Sequence, residues 1–317
     1  MKTDLAVSEW RSYSGSNKKP ADFDKFWLKA KEEVDSLSND FQLIPYTFSS
    51  QVVDAYELNF TGVGGAKIVC QLIKPKQIDH PLPAIFQFHG YHTNVGDWND
   101  KAALAAEGFI VVALDVRGQG GKSQDTSQTS GGTLKGHIIR GVEDGPEKLF
   151  YRSVYQDIYQ LTKLVSNMPD VAEDRLISYG VSQGGALALV CAALTPTVKE
   201  TYVQYPFLSD FREAYKLDVE QSAYEELAYW FRFRDPLHEH EEEFFSTLDY
   251  IDIQFLAERI TSKVYWGMAL EDRVCHPKTQ FAVYNQLDTE KEIVYYPEYG
   301  HEYLPKFNDF MREWLLG

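Results

Sequence analysis

The chain has 317 residues, with 31 Lys plus Arg against 47 Asp plus Glu and a net charge of −16. Apolar residues at 44% and charged residues at 25% describe a globular chain long enough to bury a large core, which excludes disordered, collagen-like and coiled-coil classes. So acidic a chain repels phosphate backbones and anionic lipid, and neither nucleic acid nor membrane is expected as a partner.

Residues 1–10 lack the basic-then-apolar pattern of a secretion signal, and no apolar run approaches a membrane span, so a cytoplasmic protein is expected. In 21–38, Phe23, Phe26, Trp27, Ala30 and Val34 recur at helical spacing and predict an amphipathic helix. Two strands follow, 52–60 and 67–73, joined by a Gly-rich hairpin connection. From Pro83 short apolar runs alternate with helical stretches: strand 83–88, helix 97–107, strand 109–114, helix 151–168, strand 175–179 and helix 183–194. That alternation implies a parallel sheet covered on both faces. A loop rich in Gly, Ser and Thr, 120–145, interrupts it, and loops of that length usually serve a site or an interface. Residues 210–259 are helical, acidic and aromatic and read as an insertion or cap. Strands 263–268 and 292–296 resume, with helices at 277–287 and 303–316. The expected organisation is one α/β domain over 1–317, with an N-terminal extension to about 82 and a helical insertion at about 210–260.

The sharpest chemical signal is Gly180-Val181-Ser182-Gln183-Gly184, a Gly-x-Ser-x-Gly at a strand-to-helix junction. A tight turn there lifts the serine oxygen above the sheet edge, and the flanking glycines relieve crowding. The Gln183 amide then points from a helix N-terminus toward developing negative charge. The competing reading is a serine in a glycine turn that only packs a helix on a sheet.

A serine nucleophile needs a base and the base an orienting acid, in the chain order Ser, acid, His. Four histidines follow Ser182. His301 lies after the last strand and before the last helix, where a base could reach the serine, or where it could simply cap the helix. His238 and His240 read as a solvated acidic helix face, and His276 as the start of a helix. The acid should follow strand 263–268. Asp272, two residues further along than the expected loop start, is preferred to Glu271, because its shorter side chain holds an imidazole more rigidly. Glu298 is a third candidate. His89-Gly90-Tyr91 follows an earlier strand and offers the Tyr91 amide as a second oxyanion donor, while the His89 ring reads as a satisfied buried histidine. Cys70, Cys191 and Cys275 form no CxxC pair, so neither a disulfide framework nor a zinc site is expected. A phosphate loop and His-Glu-x-x-His are absent, and Gly118-Gln119-Gly120-Gly121 opens no helix, so no nucleotide cofactor and no metal are expected.

Arg117-Gly118-Gln119, Gly180-Val181-Ser182-Gln183-Gly184 and His301-Glu302 together resemble the three signature motifs of carbohydrate esterase family seven, the acetyl xylan esterases and cephalosporin C deacetylases. Phe88-His89-Gly90-Tyr91, Arg152 to Asp157, Tyr205 to Ser209 and Asp272 to Ala282 resemble further blocks of it. The resemblance spans about residue 10 to the end. It implies an α/β-hydrolase fold, a Ser182–Asp272–His301 triad and an oxyanion hole from the Tyr91 and Gln183 amides, with Tyr91 at the substrate. It implies removal of acetyl groups from small acetylated sugars and from cephalosporin C, no cofactor, and a homo-oligomer, a hexamer with active sites facing an inner cavity. Val181 stands where Gly is frequent and Gln204 where Asp is frequent. The alternatives are an esterase of other small acyl esters and a catalytically silent binding protein of the same fold. Aromatic residues at 224–233 exceed what one short helix is expected to bury, which points to an interface, with a lid packed inside the monomer as the other reading.

Overall fold

The computed structural model describes residues 7–131, 135–217 and 224–317. The first residues of the segment read for a secretion signal, the middle of the 120–145 loop and part of the insertion lie outside the described residues. Helix α1 (Phe23–Asp35) buries the stripe Phe23, Phe26, Trp27, Ala30 and Val34 expected from its spacing. The strands are β1 (Phe41–Tyr46), β2 (Val53–Thr61), β3 (Lys67–Pro75), β4 (Leu82–Phe88), β5 (Ile110–Asp115), β6 (Val171–Val181), β7 (Val198–Gln204), β8 (Lys263–Ala269) and β9 (Lys291–Tyr296). They form one sheet in the order β1-β2-β3-β5-β4-β6-β7-β8-β9. The first four neighbours in that order run antiparallel, and from β5 onward every pairing is parallel.

Two strands escape the sequence reading. All six residues of β1 are exposed, and Pro45 within it argues against a strand; at a sheet edge Pro is tolerated because one side of the strand needs no ladder bond. The start of β7 carries Lys199 and Glu200, which hides the buried residues that follow.

Helices α2 (Asn99–Ala106), α3 (Phe150–Ser166), α4 (Gln183–Leu194), α8 (Pro277–Tyr284) and α9 (Phe307–Leu316) alternate with the strands. Every residue of α4 is buried, as its unbroken apolar character requires. Adjacent residues of β7 face opposite layers. The Thr201 hydroxyl meets that of Ser178, which in turn donates to the Ala188 carbonyl of α4. Tyr202 stacks on Tyr265 and both meet Trp314 of α9. The sheet is thus covered on both faces.

The insertion carries α5 (Phe211–Lys216), α6 (Glu225–Arg234) and α7 (Glu241–Leu248). Its aromatics correct the expectation of an aromatic interface at 224–233. Tyr224, Trp230 and Phe231 are buried; Trp230 stacks on Phe244 at 4.2 Å and Phe231 on His238 at 4.2 Å. The helix buries them because α7 and the Phe207 loop supply partners from outside it. Phe233 alone of that set is counted among the exposed large apolar residues.

A buried ion pair ties β5 to α3 beneath the site. Arg117 donates from Nε to Asp157 Oδ2 at 2.6 Å and from Nη2 to Asp157 Oδ1 at 2.7 Å, with Nη2 also on the Val63 carbonyl. Both side chains are about 1% exposed. The β2–β3 turn must close over this pair, and a Cβ at Gly62 would stand 2.5 Å from Asp157 Oδ1. Asp157→Asn removes the bidentate counter-charge and leaves the buried guanidinium only Asp125, 3.7 Å from Nη1. We expect it to cost about 3–5 kcal/mol of stability, read as a lowered urea midpoint.

Candidate active site

The parallel half of the sheet delivers the candidate residues to one edge. Phe88 of β4 pairs in register with Gly180 of β6, so Tyr91 and Ser182 leave neighbouring strands at the same end. Asp272 follows β8 and His301 follows β9, which lie beyond β7 on the same side of the sheet. Loops beyond the carboxyl ends of parallel strands are where open α/β sheets hold ligands.

Ser182 sits at φ 58°, ψ −120°, a positive φ rare for a residue with a Cβ. Its amide donates to the Gln204 carbonyl at 3.0 Å, and its carbonyl accepts from Phe207 at 3.1 Å, so the next strand clamps the turn from both sides. The two glycines of the motif have separate tasks. A Cβ at Gly180 would lie 2.1 Å from the Gly184 carbonyl oxygen, and one at Gly184 would lie 2.0 Å from that of Phe88. Without them α4 could not start so close to β4 and β6.

His301 and Asp272 come together. His301 Nδ1 lies 2.9 Å from Asp272 Oδ2, while Asp272 Oδ1 accepts from the amides of Val274 and Cys275 at 2.8 Å each. Asp272 is 1% exposed, so its carboxylate is held by three hydrogen bonds out of water. Glu271 points to solvent, and its amide donates to the Tyr299 carbonyl at 2.9 Å, joining the two loops. Glu298 is likewise exposed. The Tyr205 ring lies 4.6 Å from that of His301, and its hydroxyl donates to the Glu302 carbonyl at 2.8 Å. Cys275, fully buried, lies within hydrogen-bonding reach of the Ser182 side chain, and burial pushes its thiol pKa well up.

The peptide plane carrying the Tyr91 amide is fixed through its other end. The Gly90 carbonyl accepts from Thr93 Oγ1 at 2.7 Å and from Gln183 Nε2 at 3.4 Å. Gln183 Oε1 in turn accepts from Gln119 Nε2 and Tyr151 Oη, both at 2.7 Å, and Gln119 Oε1 accepts from the His92 amide at 3.0 Å. Gln119 and Gln183 thus splice the serine turn to the Tyr91 loop. The Gln183 amide, first in α4, has no intrahelical acceptor. Both amides can donate to an oxyanion above Ser182.

The other histidines stand apart. His89 Nε2 accepts from the Val116 amide at 3.0 Å, and burial lowers its pKa: a satisfied buried ring, as the sequence suggested. His276 accepts from the Lys278 amide and caps α8. His238 and His240 pair with Glu241 and Glu243 of their own segment. Among the described residues no group of three or more His, Cys, Asp or Glu could hold a metal ion. Of the two departures noted in the sequence, Gln204 is buried, with its amide nitrogen 3.5 Å from Asn308, while Val181 is half-buried beside the turn.

The family model described as acetyl xylan esterase (AXE1) matches residues 1–317. The chain belongs to the acetyl xylan esterase family. It is therefore a carboxylic ester hydrolase, and acetyl esters are the bonds that this family cleaves. The solved acetyl xylan esterase 1 from Thermoanaerobacterium sp. JW/SL YS485 superposes with a TM-score of 0.95 at 45% identity, covering 98% of each chain. An acetyl xylan esterase from Paenibacillus sp. R4 superposes with a TM-score of 0.94 at 32% identity, again over 98% of each chain. Acetyl esterase Axe7A from Xylanibacter ruminicola is 27% identical over 94% of this chain and 67% of its own length. The fold is that of an α/β hydrolase.

Sequence reasoning about the esterase site missed Tyr151, Glu226 and His137. Tyr151 and His137 carry no local pattern, and Glu226 lies in a run of acidic and aromatic residues where it reads as one more solvated charge.

Two outcomes follow from this geometry. Asp272→Asn keeps the shape but favours the wrong imidazole tautomer, so kcat/KM is expected to fall about 10³–10⁴-fold, against little change for Glu271→Gln; equal losses would reverse the roles. His137 is 5% exposed, its ring stacks 4.5 Å from that of Phe150, and burial lowers its pKa to about 3. The folded chain therefore binds this proton less tightly than the unfolded chain, and stability is lost as pH falls below about 6.5. Between pH 6.5 and 5 the wild type should lose about 1.6 kcal/mol that His137→Phe does not, measured by urea unfolding at each pH.

Proposed function

We propose that Ser182 is the nucleophile of an acetyl esterase, with His301 as its base and Asp272 orienting the imidazole. Ser182 Oγ attacks the acetyl carbonyl while His301 Nε2 takes its proton. The Tyr91 and Gln183 amides hold the oxyanion, and the sugar alcohol departs with the proton from His301. Water, deprotonated by the same imidazole, then attacks the acyl-serine, and acetate leaves. The observations that carry this reading are a buried Asp272 on His301 Nδ1 at 2.9 Å and, at the same end of the sheet, a serine on a positive-φ turn. The similar proteins, two acetyl xylan esterases and an acetyl esterase, support the acyl group.

The substrates of this reading are small acetylated xylo-oligosaccharides or monosaccharides, and cephalosporin C, whose acetyl ester presents the same carbonyl. Aromatic rings crowd the site: Tyr91 lies 5.4 Å from Phe207, and Phe207 lies 4.6 Å from Tyr224. Such crowding favours acetyl over long acyl chains. We further propose a homohexamer in the cytoplasm. Exposed Ile44 and Tyr46 on edge strand β1 and exposed Phe233 and Leu237 on the insertion support association, and three buried unpaired cysteines suit a reducing compartment.

Ser182→Ala should lower the rate on p-nitrophenyl acetate by about 10⁴–10⁶-fold with the fold intact by circular dichroism; retention of a tenth of the activity would refute the assignment. Acetyl esters should be cleaved faster than butyryl and octanoyl esters, and acetylated xylobiose faster per acetyl group than long acetylated xylan. Light scattering should give six times 36.3 kDa, and a single 36.3 kDa species at micromolar concentration would exclude the hexamer.

A further inference from the structure

Glu226 of α6 is 2% exposed, although it belongs to the insertion and not to the strand ends that carry the site. A carboxylate removed from water is retained only where donors surround it. Those donors all belong to the Tyr91 side of the site. Tyr91 Oη donates to Glu226 Oε1 at 2.5 Å and the Ile139 amide donates to Oε2 at 3.1 Å, with the amides of Ile138 and His137 also turned toward the carboxylate. Burial raises the pKa of this carboxyl to about 7. The loop is shaped around it: Gly136 has φ +102°, and a Cβ there would stand 2.1 Å from Glu226 Oε2. The Tyr91 hydroxyl is saturated, since it also accepts from the His137 amide at 2.8 Å.

At the other end of the Tyr91 side chain is the amide assigned to the oxyanion. The backbone there is not walled in. A Cβ at Gly90 would meet only Thr93 Oγ1, at 3.9 Å. The Gly90 carbonyl and the His92 amide are tethered on either side, and the Tyr91 ring between them packs against His137 and Phe207 and is held at its tip by Glu226. We propose that Glu226 is a positioning residue of the esterase, through which the insertion fixes the Tyr91 ring and hence the Tyr91 main-chain amide against the oxyanion. This rests on the reading of that amide as an oxyanion donor.

Glutamine cannot replace this carboxylate. With its oxygen toward Tyr91 Oη its NH₂ faces the Ile139 amide, and in the flipped orientation the Tyr91 hydroxyl proton loses its acceptor. The test is a double-mutant cycle of Glu226→Gln and Tyr91→Phe, with kcat and KM on p-nitrophenyl acetate and thermal midpoints measured for each, and Ser182→Ala in the same assay. Tyr91→Phe keeps the main-chain amide and removes only the hydroxyl. Each single variant should lower kcat about 10–100-fold with KM within about twofold, as expected for a misplaced rather than missing donor. The double variant should lose no more than the worse single one. Losses that multiply, or a Glu226→Gln enzyme with a lower midpoint and wild-type kcat, would overturn the proposal. If Glu226→Gln does not fold, Tyr91→Phe decides alone: undiminished kcat overturns the proposal and a selective loss of kcat upholds it. An active Ser182→Ala would instead overturn the catalytic reading itself, so the two failures are distinguishable.

Discussion

The site depends on how closely α4 approaches the C-terminal ends of β4 and β6. That approach is possible only because positions 180 and 184 lack a Cβ: each would otherwise stand about 2 Å from a main-chain oxygen of a neighbouring segment. The chain turns from strand to helix in one residue, and Ser182 absorbs the turn at a positive φ. Strain of this kind costs of order 1–3 kcal/mol and persists only where the surroundings over-determine it. Here β7 and the loop after it do so, gripping the serine amide through Gln204 and the serine carbonyl through Phe207. Because the turn is held from main chain to main chain, the serine oxygen is placed by the sheet and not by its own rotamer preferences alone.

Around that turn the polar groups form two arms. On one, Gln119, Gln183 and Tyr151 join the serine turn to the Tyr91 loop through neutral hydrogen bonds. On the other, Asp272, His301, Tyr205 and Glu302 join the loops after β8 and β9 to the loop after β7. Neutral amides next to the oxyanion donors suit that side, and the Glu226 carboxylate is kept at the far end of the Tyr91 ring, away from the charge that develops in the reaction. A buried carboxylate suits the histidine side, where positive charge develops. Beneath both, Arg117 and Asp157 neutralise each other inside the core and anchor the loop that presents Gln119.

The insertion is part of this arrangement and not an appendage. Trp27 of α1 donates to the Tyr250 carbonyl, Tyr155 of α3 to that of Ile251, and Glu226 reaches the Tyr91 hydroxyl. Its aromatic residues pack mainly on one another and on the Phe207 loop, so the segment both covers and braces the site.

Local sequence was sufficient wherever a local rule decides the outcome. Helical spacing located α1, the Gly-x-Ser-x-Gly pattern located the turn at Ser182, and chain order pointed to Asp272 and His301 among several carboxylates and histidines. The edge strand β1 and the half-polar β7 were not legible, because their pairing is set by neighbours on the sheet and not by their own pattern. The burial of Tyr224, Trp230 and Phe231 was not legible either, since a helix cannot announce which partners will cover it. Glu226 is the clearest case: in sequence it is one acidic residue among many, and only the close approach of Tyr91 and the amides of residues 137–139 makes it a buried acceptor. Spacing along the chain determines which side chains can share a face or a turn. Tertiary packing alone decides which polar groups leave water, because that depends on atoms contributed by residues far away in sequence.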